Sequence, residues 1–437
     1  MTYDDIRSQD EDKKLRFLNL LCRGNPLFPN LLDLRVHTWP ITLSEAHLLF
    51  SCSLKTVIVE NRNDPNGLRN QGRLSRFQHQ QASIHLLAKR SPGLVAFHAA
   101  YLGLDHRQDL ASGRQFSPIF DLRGLSHLSI RKIAGPSLRL MWLEKISSMY
   151  NLQSLAFNMA GFPHNTTSQL QLGALLNLRS LLIHSTSIPV LSTIFQSLPQ
   201  DVLESVGVGQ LQFDLNGTAC AHMRVCMHYL ATRMGKSLKK FFLGPTRSTV
   251  SSISPADISM MSFLQPLTRI HQLRSLTFFP SRLCVITPED VAVSANSWPD
   301  IEEFIIYPVY TSFGTISSPL IQFESMLQLA TKCPKLDQLH LHISFTDLPP
   351  LDTIPDLNHR LSSLFFYNPE SNEPTHLKAI AVAVYRLFPS LKIHLIESSR
   401  KRAYPGWWSV MEHIKALQDA KVSGTGFIVR SVFMTDH

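Results

Sequence analysis

The segment KCPKLDQLHLHIS, residues 332–344, joins a helix-ending turn to a short run of alternating apolar and polar residues. Its leucines follow the spacing L-x-x-L-x-L, with Leu339 and Leu341 in the last two leucine positions. Successive side chains of a strand point to opposite faces, so these two leucines share one face and His340 and His342 share the other. On this stretch alone, a catalytic or metal-binding histidine pair and one unit of a longer repeat are both open.

The same spacing recurs along the whole chain, with other apolar residues in the leucine positions. Twelve copies begin at Leu31, Leu54, Leu94, Leu125, Leu152, Leu178, Leu203, Leu238, Leu273, Ile301, Leu336 and Leu361, and an off-register thirteenth begins at Leu391. Leu31 and Leu391 are 360 residues apart, so the twelve intervals average 30 residues. A period of about 20–29 residues with this motif is typical of leucine-rich repeats, and longer units carry a full helix or an insertion.

Helical segments stand between the copies, for example at 75–90 and 324–332, and a small or proline-bearing turn follows them. One helix and one short strand cannot bury their apolar faces alone, so such units stack. The sequence therefore predicts an α/β fold, a leucine-rich-repeat solenoid (horseshoe) with a parallel concave sheet, outer helices and about 12–13 irregular repeats.

Both ends of the array are expected to be capped. Residues 1–26 are predicted to form an N-terminal tail and capping helix, which Gly24 and Pro26 end. The solenoid is predicted over 27–398. Residues 399–437 are predicted to form a C-terminal cap, with a helix near 407–420, a turn and a short strand at 426–433.

The composition of the 437 residues is that of a folded protein, with 44% hydrophobic residues and a scattered net charge of +9. An excess of basic over acidic residues can favour binding to nucleic acid or to acidic partners. Because the charge is scattered here, a solvated surface is the favoured interpretation. The six cysteines form no dense framework, which suits a reducing compartment. No apolar run approaches the roughly 20 residues of a membrane span, so we expect no membrane partner. Together with the cysteine usage, this predicts an intracellular protein, cytoplasmic or nuclear. Because the charge is scattered, we expect no nucleic-acid partner either.

Two short segments resemble a phosphate-binding loop and a zinc site, but each lacks residues that such a site needs. GKS at 235–237 lacks the glycine that a phosphate-binding loop needs five residues earlier, where Leu230 stands. In CAHMRVCMH, residues 220–228, helical spacing brings only His222 and Cys226 to one face, which is too few ligands for zinc. We expect no catalytic residue, no cofactor and no metal, and hence no enzyme.

The repeat pattern assigns the third, fifth and seventh positions of each copy to the concave face, where leucine-rich-repeat proteins bind partners. In the early copies these positions are polar, at Asp33, Arg35, His37, Thr56, Glu60, His98, His127 and Arg131. The later copies offer exposed aromatic residues, which are enriched at protein interfaces. The predicted partner-binding residues are Phe242, Phe279, Ile305, Tyr307, Gln338, His340, His342, Phe365 and Tyr367. The alternative is that insertions or the C-terminal segment cover these side chains.

The units LFPNLLDLRVHTWP, SCSLKTVIVE and CPKLDQLHLHI resemble the leucine-rich-repeat region of fungal F-box proteins, over roughly residues 15–400. The resemblance implies a protein ligand on the concave face and a substrate-recognition role in an SCF-type ubiquitin ligase. The family docks on the SCF adaptor through an F-box upstream of the repeats, but this chain has no LPxE F-box core. The alternative function is a repeat scaffold for signalling or small-GTPase regulation.

Overall fold

The structure is a computed structural model, and it describes thirteen stretches of the chain. These are residues 17–36, 43–59, 73–99, 117–131, 144–160, 172–213, 218–248, 258–279, 284–307, 321–341, 343–366, 374–392 and 405–423. The chain divides into two compact units, residues 1–212 and 213–437. The division falls inside the predicted solenoid, between the copies that begin at Leu203 and Leu238.

A parallel sheet of seven strands runs through the described part of the first unit. Its strands, numbered with all others in chain order, are β1 (Asp33–Val36), β2 (Thr56–Val59), β3 (Ala96–Ala99), β4 (His127–Ile130), β5 (Ser154–Phe157), β6 (Ser180–Ile183) and β8 (Ser205–Val208). Neighbouring strands pair without any shift between repeats. The fourth positions therefore form one row, Leu34, Val57, Phe97, Leu128, Leu155, Leu181 and Val206.

The described part of the second unit contains five parallel strands built in the same way. They are β10 (Lys240–Leu243), β13 (Ser275–Phe278), β15 (Glu303–Ile306), β17 (Gln338–Leu341) and β19 (Ser363–Phe366). Their fourth positions also align, as the row Phe241, Leu276, Phe304, Leu339 and Leu364. Each strand coincides with one copy of the sequence motif, which is the architecture of leucine-rich repeats.

Short strands accompany the main ones and have no counterpart in the sequence prediction. They are β7 (Thr186–Ser187), β9 (Leu211–Phe213), β11 (Thr246–Ser248), β12 (Ile258–Ser259), β14 (Cys284–Val285), β16 (Ile321–Gln322) and β18 (Ile343–Ser344). β7 pairs in parallel with β9, β12 with β14, and β16 with β18. These pairs supply backbone hydrogen bonds where the chain leaves one repeat for the next helix.

Helices connect successive strands. The α-helices are α1 (Leu43–Leu49), α2 (Arg73–Arg90), α3 (Ser117–Phe120), α4 (Ile188–Ser197), α5 (Thr218–Met234), α6 (Met261–Leu264), α7 (Pro288–Ser297), α8 (Phe323–Lys332), α9 (Pro374–Leu387) and α10 (Pro405–Val422). Residues 17–21 and 144–147 are also helical. Short 3₁₀ turns occur at Leu172–Ala174, Gln265–Arg269 and Leu351–Thr353. In the described residues, no helix has the length and apolar character that a bilayer crossing requires.

The core of each unit lies between the strands and the helices. Most of the leucines that open the copies, such as Leu94 in the first unit and Leu273 in the second, are completely buried, whereas Leu31 of the first copy is half-buried. Trp298 is also buried, and its indole Nε1–H donates to Leu267 O at 3.2 Å. Truncating a buried leucine of this kind to alanine typically costs about 2–5 kcal/mol. The motif leucines therefore hold the repeats together.

The predicted caps are described only in part. At the N-terminal end, Leu21 belongs to the helical residues 17–21 but is largely exposed. In the thirteenth copy, Leu391 is buried and Lys392 N–H donates to Ser362 O at 2.8 Å. The repeat before it makes the equivalent hydrogen bond, from Ser362 N–H to Asp337 O. The predicted C-terminal helix corresponds to α10, and a strand predicted at 426–433 lies outside the described residues.

Candidate partner-binding surface

One face of the second unit's sheet carries the fifth positions of the repeat. The register places Phe242, Thr277, Ile305, His340 and Phe365 in one row across β10, β13, β15, β17 and β19. All five side chains are half-buried, whereas the fourth-position residues beside them are buried. Alternation along each strand thus separates an apolar core face from a face that remains partly open.

Two further rings lie on the same face at the seventh position of the repeat. Phe279 and Tyr307 each follow the last residue of a strand, and they extend the backbone pairing by one bond. Phe279 N–H donates to Leu243 O at 2.8 Å, and Tyr307 N–H donates to Phe278 O at 3.0 Å. Each ring therefore stands two residues beyond a fifth-position residue and shares its face.

Five rings from these two rows touch in sequence, one from each strand or its end. We call this set, Phe242, Phe279, Tyr307, His340 and Phe365, the aromatic ladder. Phe242 meets Phe279 edge-on at a centroid distance of 5.8 Å. Phe279 stacks on Tyr307 at 4.1 Å with an interplanar angle of 13°. Tyr307 meets His340 edge-on at 6.1 Å, and His340 lies 5.7 Å from Phe365.

The geometry of the aromatic ladder follows from the sheet beneath it. Parallel strands lie about 4.7–4.9 Å apart, which matches the separation of stacked or tilted rings. Aromatic pairs at such distances stabilise each other by about 0.5–1.5 kcal/mol beyond the area they bury. The rings therefore hold one another in place and present a preorganised surface of ring faces and edges.

Four other residues were predicted for this surface. Ile305 lies in the fifth-position row and is half-buried. Gln338 lies one row away, between Glu303 and Ser363. His342 and Tyr367 lie outside the described residues. Tyr307 and Phe365 are the ring neighbours of His340 on its two sides.

Charged side chains before the strands pair with each other. Arg274 lies 3.4 Å from Glu302, and Lys335 Nζ lies 2.8 Å from Asp300 Oδ1. The hydrogen bond and the charge of Lys335 lower the pKa of the Asp300 carboxyl. Exposed ion pairs of this kind add little stability. They lie before the strands that carry the aromatic ladder, and a polar rim around an aromatic centre is the usual composition of a protein interface.

The face of the first unit has a different character. Asp33, Arg35, Thr56, His98, His127 and Arg131 all lie on or directly after the strands in third, fifth or seventh positions, as predicted. His37 and Glu60 lie outside the described residues. All of these side chains are polar or charged, and the described part of the first unit shows no counterpart of the aromatic ladder.

Two polar residues of the first unit were missed by the sequence analysis. Asn158 and His184 occupy the seventh positions of the copies that begin at Leu152 and Leu178, next to Arg131 in the same row. Counting to the seventh position in those two copies would have found them. Together they extend the polar face by two strands.

Burial and positive charge act on the histidines of this face. Burial lowers the pKa of His98, and the charges of His127 and Arg131 lower it further. Burial also lowers the pKa of His184, with a second contribution from Arg131. Arg131 is therefore the charge that both histidines experience.

The zinc lookalike of residues 220–228 belongs to α5. The helix places Cys226 in the core and leaves His222 and His228 exposed. Across the part of the chain that the structure describes, no three histidine, cysteine, aspartate or glutamate side chains form a group able to hold a metal ion.

Comparison with known proteins leaves the family open. No protein-family model matches the chain, and no curated protein matches it. Among solved structures, a leucine-rich-repeat protein of Leptospira interrogans is similar, with a TM-score of 0.34 and 14% sequence identity. That similarity covers 89% of this chain and 97% of the other.

Proposed function

We propose that the chain is a protein-binding leucine-rich-repeat module, without catalytic activity, which captures a partner on the aromatic ladder. The observation that supports this proposal is the unbroken contact of five rings across five parallel strands. Aromatic anchors provide a large share of the binding energy of protein interfaces. Rings that are already fixed by their neighbours lose little conformational entropy on binding.

The test is affinity purification of the tagged full chain, followed by replacement of the central stacked pair. We expect the double variant Phe279→Ser, Tyr307→Ser to lose at least about tenfold in partner affinity, because anchor residues contribute about 2 kcal/mol or more each. The matched control is Tyr150→Ser, which removes an exposed aromatic residue from a loop of the first unit. Equal capture by the double variant and the wild type would refute the proposal.

The resemblance of the repeats to those of fungal F-box proteins supports a finer proposal. In it, the captured partner is a substrate of an SCF-type ubiquitin ligase, inside the cell, and this chain is the substrate-recognition subunit or a relative without an F-box. Docking on the SCF adaptor would require an F-box in addition to the residues of this chain. Cullin and adaptor peptides among the purified proteins support this role, whereas a small GTPase supports the scaffold role instead.

A further inference from the structure

A second surface of different chemistry lies on the first unit. Arg131 directly follows β4, and its N–H donates to Ala99 O at 3.0 Å, which fixes its position beside β3. His127 lies at the start of the same strand. His98 of β3 pairs with Ser129, the residue midway between His127 and Arg131. Since these positions are two residues apart, all three side chains lie on one face of the sheet.

The row of seventh positions that contains Arg131 continues onto the next two strands, β5 and β6. The pairing of Ile130 with Phe157, and of Phe157 with Ile183, places Asn158 and then His184 beside Arg131. Asn158 Oδ1 accepts the N–H of Ala160 at 2.8 Å, so the acceptor end of the amide is turned to its own backbone. The amide NH₂ group and the Arg131 guanidinium are both donors, and Arg131 is exposed.

Negative charge is lacking on the strands around Arg131; on this face, Asp33 lies on β1, three strands away from β4. On β2 to β6 and β8, and at the described residue directly after each of them, the titratable or charged side chains are His98, His127, Arg131 and His184. Those described stretches contain no aspartate or glutamate. Lys55 and Arg179, at the opposite ends of the strands, donate to the carbonyls of Gly93 and Val202. The charge of Arg131 is therefore not neutralised by a carboxylate on these strands.

We propose that the strand face formed by His98, His127, Arg131, Asn158 and His184 binds an acidic segment of a protein partner through its carboxylates. A guanidinium binds a carboxylate in a bidentate fashion, and such charge-assisted hydrogen bonds are roughly twice as strong as neutral ones. The positive charge of Arg131 complements such a segment, and the described residues of β2 to β6 and β8 carry no carboxylate that would repel it. This surface is separate from the aromatic ladder, so the proposal does not depend on the one above.

Nucleic acid fits the same face less well. Binding a single strand requires a groove of several positive charges with aromatic rings on which bases stack. The strands β2 to β6 and β8, with the described residue directly after each, offer one arginine and three histidines, and no tyrosine or tryptophan lies in the rows beside Arg131. A short carboxylate-bearing segment needs only the donors that are present.

Proton uptake is expected to accompany binding. Arg131 disfavours the protonated forms of His98 and His184. A carboxylate on Arg131 offsets that repulsion and attracts the imidazolium forms, so bound ligand raises both pKa values. By linkage, the acidic segment binds more tightly as the pH falls from about 7.5 to about 6, a range in which glutamate remains ionised.

The experiment measures binding of labelled hexaglutamate and hexaglutamine peptides to the full chain by fluorescence anisotropy. An ionic strength of about 0.01 M keeps the Debye length near 30 Å. We expect hexaglutamate to bind and hexaglutamine not to bind. Arg131→Gln should weaken hexaglutamate binding by about tenfold or more, and Arg131→Lys by less. Arg123→Gln, an exposed arginine in the loop before β4, is the matched control and should change nothing.

Three results would overturn the proposal. The first is no hexaglutamate binding by the wild type, and the second is an equal loss in Arg123→Gln and Arg131→Gln. The third is tighter, Arg131-dependent binding of single-stranded polyuridylate than of hexaglutamate, which would make the face a nucleic-acid site. The double variant His98→Gln, His184→Gln tests the linkage, since it should flatten the pH dependence while retaining binding at about pH 7.5.

Discussion

His359 is a buried histidine whose two ring nitrogens are both engaged. Nε2 donates to Cys333 O at 2.9 Å, and Nδ1 accepts the N–H of Leu361 at 3.1 Å. The ring also meets Phe388 edge-on at 5.5 Å. An imidazolium has no acceptor nitrogen, so its second proton would oppose the Leu361 N–H. The residue therefore joins neighbouring repeats only in its neutral form.

The stability of the protein is expected to fall in mild acid because of this site. Burial lowers the pKa of His359, the hydrogen bond to Cys333 raises it in part, and the charge of Arg360 lowers it. With a folded-state pKa below the ordinary 6.5, the unfolded chain binds more protons, so the free energy of unfolding decreases as the pH falls below about 6.5. Denaturant unfolding at about pH 7.5 and about pH 5.5 measures this loss.

His359→Gln isolates the contribution of the site. The variant should lose about 1–3 kcal/mol at about pH 7.5, from hydrogen-bond partners left buried without a bond. It should also show a smaller decrease in stability toward acid, because one titrating group is gone. His222→Gln, on an exposed face of α5, is the control. An unchanged pH dependence in His359→Gln would contradict the explanation.

The ring positions of the binding surface were predictable from the sequence at the level of single residues. Alternation along a strand decides the face on which Phe242 or His340 lies. It does not decide which rings touch, because the aromatic ladder crosses between fifth and seventh positions, from Phe242 to Phe279 and from Tyr307 to His340. Those contacts depend on the register between strands, which only the structure provides.

At the scale of secondary-structure elements, α7 shows how a helix start joins one repeat to another. Thr287 Oγ1 accepts the Asp290 N–H at 3.2 Å, and Asp290 Oδ2 accepts the Thr287 N–H at 2.9 Å, which is a reciprocal capping box. Asp290 Oδ1 also accepts the Ser259 hydroxyl and the Met261 N–H. One buried carboxylate therefore caps α7 and holds the start of α6.

Removing the cap should destabilise the second unit measurably. Thr287→Ala is expected to cost about 0.5–2 kcal/mol, the usual effect of losing an N-cap side chain. The control is Thr331→Ala in α8, an exposed threonine whose hydroxyl bonds only within its own helix, to Leu327 O. It should change stability by less than about 0.5 kcal/mol. Equal midpoints of denaturant unfolding for the two variants would show that the capping box is unimportant.

Elements with a strong periodic signal were predictable, and short ones were not. The twelve motif copies correspond to main-sheet strands even where the motif is weak, as in the copy whose sixth position is Ala99, a buried residue. Two-residue strands such as β16 and β18 are too short to show a period. They form because neighbouring repeats bring two extended segments together, which is a tertiary effect.

At the scale of the whole molecule, the sequence establishes the repeat and the structure establishes its division. The boundary between the two compact units follows residue 212. The copies on either side of it are 35 residues apart, and the same interval occurs elsewhere in the chain. Spacing alone therefore does not mark the boundary. The difference in surface chemistry, polar in the first unit and aromatic in the second, is visible in the sequence once the faces are assigned.

The proposed function requires that a protein partner bind the aromatic face of the second unit. Site-specific photocrosslinking tests it most directly, with benzoylphenylalanine placed at Phe279 or at Phe365 in the full chain. The control position is Val225, which is exposed on α5 of the same unit. We predict covalent capture of one defined protein from the two ring positions and none from Val225. Capture of that protein from Val225, with none from Phe279 or Phe365, would refute the proposed function.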